Sequence, residues 1–378
     1  MSFSISRRRF AGTVAAALSG SLLGPGPFRS VARASLSRGE PENFIQLNSN
    51  ENPYGPSPGA LEAFARSSRV AGRYPDASEE EVRDAIARHH RVTPKQVVLG
   101  CGSSDILRMV DSAFLGPGKT VIAAEPTFEA VLLHARVTRA EAVKVPLTSD
   151  FRHDLPRMAS ACDARTGLVY VCNPNNPTGT IVSGEELEKF LAAVPRALPV
   201  VVDEAYHHFV ESPGYRTAID LLGRYPQAIV ARTFSKIYGM AGMRLGYAIA
   251  SEANAELLGS RAAWNNVNAA GLAIALASLA DPDLVARQRK RLNDTRRWLS
   301  TELERDGRRT IPSETNFLMI DVGADVISVI RAFRERGILV GRKFPTLSNW
   351  LRVSIGKREE MTAFLAALRE IVPVRAAA

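Results

Sequence analysis

Three short stretches of this chain read as buried strands, 168–172, 200–202 and 229–232, and each leads into a polar signature. The first runs into Asn173-Pro174-Asn175-Asn176-Pro177-Thr178-Gly179, the second into Asp203-Glu204-Ala205-Tyr206, the third into Thr233-Phe234-Ser235-Lys236. Runs this short and apolar fit parallel strands covered on both faces. Helical patterns fall between them. Ser78-Glu79-Glu80-Glu81 and Ser183-Gly184-Glu185-Glu186 have capping-box spacing, predicting helices that run to about His90 and end before Pro195. Further strands are predicted at 97–99, 120–123 and 247–250, and a helix through Phe114 follows Gly100-Cys101-Gly102-Ser103-Ser104. Strand and helix in alternation predict an α/β fold, a doubly wound and mostly parallel sheet.

From Asp281-Pro282 onward the pattern changes. A long helix to about Asp306 is predicted there, opened by an Asp cap and a first-turn proline. Strands at 316–321, 338–341 and 350–355 and a helix at 324–336 follow, predicting a smaller α+β domain. The expected division is a signal peptide at 1–34, an arm at 35–60, a large domain at 61–281 and a small domain at 282–378.

The formal net charge of +9 invites a nucleic-acid reading. Residues 1–34 carry five arginines and no acid, however, and the rest of the chain holds only +4. Ser6-Arg7-Arg8-Arg9-Phe10 resembles the twin-arginine export motif. A weakly apolar stretch follows at 11–23, then Ala32-Arg33-Ala34 as a cleavage site. Basic charge of that kind carries no information about nucleic acid. The expectation is export, to the periplasm, with no stable membrane anchor after cleavage and no nucleic-acid partner. No apolar run reaches the length of a polytopic span. Cys101, Cys162 and Cys172 stand outside any CxxC pattern, so no metal site is expected, and they read as small buried hydrophobes.

In an open parallel sheet the carboxyl ends of the strands meet at one crevice. Asn176, Asp203, Tyr206 and Lys236 are therefore expected together. A lysine there is a candidate Schiff-base nucleophile, and an aspartate suits a protonated ring nitrogen. Pyridoxal phosphate asks for both, with hydroxyls, backbone amides and an arginine for its phosphate.

The chain resembles the fold-type-I aminotransferases, and within them the histidinol-phosphate aminotransferase family. The resemblance runs from Asn48 to Gly356 and is carried by motifs in order. They are Asn50-Glu51-Asn52-Pro53-Tyr54-Gly55-Pro56, Arg73-Tyr74-Pro75, Asn175-Asn176-Pro177-Thr178-Gly179, Asp203-Glu204-Ala205-Tyr206, Ser235-Lys236 with Ala241-Gly242-Met243-Arg244, and Leu351-Arg352-Val353-Ser354-Ile355-Gly356.

The resemblance implies roles. Lys236 holds the cofactor and moves the proton, Asp203 binds the pyridinium nitrogen, and Tyr206 and Asn176 bond the ring hydroxyl. Ser103, Ser104, Ser235 and Arg244 cradle the phosphate, with Tyr74 arriving from a second subunit of a homodimer. Phe128 stacks on the ring, where the family often has tyrosine. Arg352 binds the substrate's anionic head, Asn176 also faces substrate, and Tyr54 closes over it. The family frequently has a further arginine just after the strand at 338–341. Here the order is Gly341-Arg342, one place out of register. The activity implied is transamination between an amino donor and a 2-oxo acid, by a ping-pong route. Decarboxylation or racemisation on the same cofactor, and an exported binding protein without turnover, stay open at this point.

Overall fold

The computed structural model describes residues 44–373. The expected signal peptide at 1–34 and the first part of the expected arm lie outside the described residues. Strands run in chain order as β1 (Ile45–Leu47), β2 (Val97–Gly100), β3 (Thr120–Glu125), β4 (Glu141–Pro146), β5 (Thr166–Cys172), β6 (Val200–Asp203), β7 (Ala228–Thr233), β8 (Gly246–Ile249), β9 (Thr310–Ile311), β10 (Phe317–Asp321), β11 (Ile338–Val340) and β12 (Trp350–Ser354). Seven of them form one sheet in the order β2-β8-β7-β6-β5-β3-β4. It is parallel except for β8, which runs against both β2 and β7. The fold is the expected α/β class.

Every residue of β5, β6 and β7 is buried, as their apolar runs predict. Alternation along each strand sends its side chains into two separate cores. Leu168, Tyr170 and Val201 enter one, with Ile229 and Ala231. Val169, Val171, Val200, Val202 and Val230 enter the other.

C-terminal to this sheet, β12-β10-β9 form an antiparallel sheet. The arm joins that half of the chain: β1 pairs in parallel with β11, Ile45 opposite Ile338. In chain order the helix Leu284–Arg305 falls between the last strand of the main sheet and β9. Among the described residues no single helix is long and apolar enough to cross a membrane.

Local capping follows the sequence at one expected site and departs from it at another. Ser183 Oγ accepts from the Glu186 amide at 3.1 Å, and Glu186 Oε2 accepts from the Ser183 amide at 2.7 Å. The box at Ser78 does not form, because the helix already starts at Asp76. Pro75 fixes the entry, and Asp76 and Glu79 put negative charge in the first turn, which the helix dipole favours. Asp281 likewise stands short of its expected cap position, since the long helix opens at Leu284 with Asp283 before it. The cysteines also depart from expectation: Cys172 is buried but Cys101 is exposed. Cys101 sits in the turn between β2 and the helix Ser103–Phe114, outside both cores.

Candidate active site

The carboxyl ends of β5, β6 and β7 lie side by side. Cys172 is register partner to Asp203, and Asp203 to Ala231. They open into a cavity of about 360 Å³ whose walls include Ser103, Ser104, Phe128, Asn176, Asp203, Tyr206, Ser235, Lys236, Arg244 and Arg352. Most of the expected residues are thus gathered in one place. The arm closes one side with Asn48, Ser49, Asn50 and Glu51.

Asp203 is buried, and burial raises its carboxyl pKa. Two donors oppose that shift. Tyr170 donates its hydroxyl to Oδ2 at 2.9 Å, and the Ala205 amide donates to Oδ1 at 3.0 Å. Tyr170 was invisible as a site residue in the sequence, hidden within the apolar run of β5. Replacing it with phenylalanine keeps the packing and removes one donor to a buried carboxylate. We expect Tyr170→Phe to weaken cofactor binding roughly tenfold, about 1.5 kcal/mol for a bond to a charged group. Equilibrium dialysis of pyridoxal phosphate measures it, and a dissociation constant within twofold of wild type refutes it.

Lys236 Nζ donates to the Ser49 carbonyl at 3.3 Å and lies 5.7 Å from the Tyr206 ring centroid. Burial, then the nearby Arg352, push its ammonium down to about 8, against the pull of Glu51. Tyr206 accepts at its hydroxyl from Asn50 Nδ2 at 3.0 Å. Asn50 itself holds φ +54°, and its backbone N–H donates a hydrogen bond to Ser354 Oγ at 2.7 Å. A left-handed asparagine tied at both ends is backbone strain kept at a site.

One end of the cavity is built for an anion. The helix Ser103–Phe114 aims its N-terminus there, where the first amides have no partner within the helix. Arg244 sits at φ +55° and donates to the Ala241 carbonyl at 2.9 Å and to Ser235 Oγ at 3.4 Å. Its guanidinium lies against Gly102, where an added Cβ would fall 2.3 Å from Nη2. A Cβ on Gly246 would fall 2.3 Å from the Ser103 amide nitrogen. Two glycines thus let the arginine and the helix start converge. A phosphate fits this cradle, and a ring nitrogen fits Asp203. The residues present fit pyridoxal phosphate.

At the other end Arg352 donates through Nη1 to Asn176 Oδ1 at 2.7 Å and through Nη2 to the Asn48 carbonyl at 3.0 Å. Its Nε is buried with no partner.

Two expected residues lie away from the cavity walls. Tyr54 is half-buried beneath Arg291, whose guanidinium is 5.2 Å from the ring centroid. Tyr74 is 79 % exposed, in a separate groove with Phe64 and Asn268. Behind the site, Glu204 and Arg232 form a buried ion pair at 2.6 Å. Glu204 follows Asp203 and Arg232 precedes Thr233, so alternation turns both away from the cavity.

Comparison with known proteins adds to this geometry. Residues 42–368 match the family described as aminotransferase class I and II. The chain is 38 % identical over 335 residues to a histidinol-phosphate aminotransferase of Moorella thermoacetica, covering 88 % of this chain and 86 % of that one. It is also 38 % identical over 331 residues to an aromatic amino acid aminotransferase of Cutibacterium acnes, covering 88 % and 93 %. Its structure is similar to that of histidinol-phosphate aminotransferase from Sinorhizobium meliloti in complex with pyridoxal-5'-phosphate. That likeness has a TM-score of 0.83 and 26 % identity, and covers 98 % of each chain.

Proposed function

Since this chain belongs to the class I and II aminotransferases, we propose that its amino donor is a free amino acid, aromatic by preference, and that it works after export. It is a pyridoxal-phosphate-dependent transaminase of the histidinol-phosphate aminotransferase type. Donor and acceptor use one site in turn, so its kinetics are ping-pong.

When bound, pyridoxal phosphate supplies an electron-accepting ring that makes the α-proton of an amino acid removable. The chain's residues do the rest. Ser103, Ser104, Ser235 and Arg244 anchor the phosphate. Asp203, whose ionised form Tyr170 and the Ala205 amide favour against burial, holds a proton on the ring nitrogen. Tyr206 and Asn176 bond the ring hydroxyl, and Phe128 covers the ring. Lys236 Nζ takes the α-proton as a general base and gives it back as a general acid. Arg352 holds the substrate carboxylate, and the observation that carries this assignment is that its guanidinium lines the cavity with only neutral partners, Asn176 and the Asn48 carbonyl.

Export rests on the twin-arginine motif, which suits a protein that takes up its cofactor before crossing. Histidinol phosphate is a biosynthetic intermediate of the cytoplasm, so an exported enzyme would not meet it. The displacement of arginine from position 341 to Arg342 points the same way. Tyr74 and Phe64, exposed beside the groove at Asn268, support a homodimer that shares its sites. A monomer in sedimentation, or full-length chain confined to the cytoplasm, overturns these two parts.

A half-reaction tests the donor. The chain from Ser35 onward is loaded with cofactor, and its visible absorption is followed without acceptor. Histidinol phosphate, phenylalanine, histidine, glutamate and aspartate are added singly. Phenylalanine or another free amino acid should bleach the band at the lowest concentration. Bleaching by histidinol phosphate alone refutes the proposal.

A further inference from the structure

We propose that Glu129 sets the charge of the head group this site accepts. By holding Arg342 it leaves Arg352 as the free cation, and the site then favours a monoanionic carboxylate over a dianion. The inference rests on the free-amino-acid reading above and deepens it.

Arg342 and Arg352 both line the cavity. Their guanidinium groups share one aromatic ring, lying 4.4 and 5.2 Å from the centroid of Phe344. Two cations that close repel, and Arg342 adds to the burial that lowers the Arg352 pKa. Their partners differ. Arg352 bonds only neutral groups and has no carboxylate within 4.0 Å among the described residues. Arg342 is ion-paired, its Nη2 2.6 Å from Glu129 Oε2. Glu129 directly follows Phe128 of the cavity wall, so the pair ties the region after β3 to the region after β11.

The position of Arg342 has a steric cause. A Cβ on Gly341 would fall 2.8 Å from the Arg352 carbonyl oxygen and 2.9 Å from its Cβ. No side chain stands there without moving Arg352. The second arginine is therefore offered from the next residue, within reach of Glu129.

The charge count then decides. An α-carboxylate brings one negative charge, and Arg352 matches it. A phosphate monoester brings nearly two at neutral pH. To match the second charge, Arg342 must leave Glu129, which then faces the dianion as a like charge. The ion pair is half-exposed, so its worth to stability is small. Its effect on a charge bound beside it, inside the cavity that Arg342 lines, is larger.

Calorimetric titration of the holoenzyme tests this at pH 8. The ligands are phenyl phosphate, a dianion, and 3-phenylpropanoate, a monoanion of similar bulk. Glu129→Gln should tighten phenyl phosphate about tenfold and change 3-phenylpropanoate less than about twofold. The selective gain should vanish in Glu129→Gln/Arg342→Gln, because the freed arginine is its source. Equal shifts for both ligands, no shift, or a gain that survives in the double variant overturns the proposal. The change in ligand ratio is read whichever donor wins the half-reaction, so the two readings fail separately.

Discussion

Lys236→Ala should lower turnover by about 10⁴-fold, the upper range for a lost general acid–base group. The fold should survive, since Lys236 lies at the cavity and, among the described residues, its ammonium bonds only the Ser49 carbonyl. A small primary amine added to the solution should restore part of the rate, because it supplies the missing base. Lys236→Arg should fail in both respects, since guanidinium stays protonated at every working pH. Turnover in Lys236→Ala within tenfold of wild type removes the lysine from the chemistry. The protonation state adds a pH signature. With its pKa pushed down to about 8, Lys236 in the cofactor-free protein is about one-tenth neutral at pH 7. Only the neutral amine is a nucleophile. Cofactor capture should therefore quicken as pH rises through about 8 and then level off. A profile still climbing above pH 10 would mean an ordinary lysine.

Arg232→Met should cost the fold about 3–5 kcal/mol, the usual loss when a buried pair is broken on one side. Glu204 is 1 % exposed and keeps the Thr217 hydroxyl and the Ala218 amide as donors, and its other neighbour, His207 Nδ1 at 4.0 Å, is an imidazole that burial holds neutral. Changing both members, Arg232→Met with Glu204→Leu, should recover most of the loss, since no charge is then stranded. Urea unfolding of the cofactor-free protein measures both. A loss under about 1 kcal/mol for the single variant refutes the account. The surroundings sharpen the pH response. His90 and His207 are held neutral, each pushed down to about 2, first by burial and then by Arg232. Their folded values lie below the unfolded one. The stability they carry is complete above the ordinary histidine range and drains away as pH falls below it.

Most of the main sheet was legible because β5, β6 and β7 are covered on both faces and so read as unbroken apolar runs. Their polar ends named Asp203 and Lys236 directly. β4 was not legible: four of its six residues are exposed along a sheet edge, and its pattern is no different from a loop. The reversed direction of β8 was also hidden, since a strand's residues carry no sign of its direction. Ser78 misled because a capping box is a local preference, and Pro75-Asp76 opens the helix earlier. Tyr170, Glu129 and Arg232 act through partners distant in sequence, at Asp203, Arg342 and Glu204. No spacing rule connects such pairs.

Asp203 and Glu204 stand next to each other at the end of β6, one turned to the cofactor cavity and the other to the buried anchor. The assignment of chemistry and of stability to these two carboxylates is a matter of parity. A single residue gained or lost within 200–203 would exchange their faces, presenting the anchor's glutamate to the ring and stranding the aspartate before Arg232. Length in this strand is therefore frozen far more tightly than composition. Valine, isoleucine or leucine can trade places along it, while drift in chain length is confined to the loops, where no count of odd and even decides which side a residue serves.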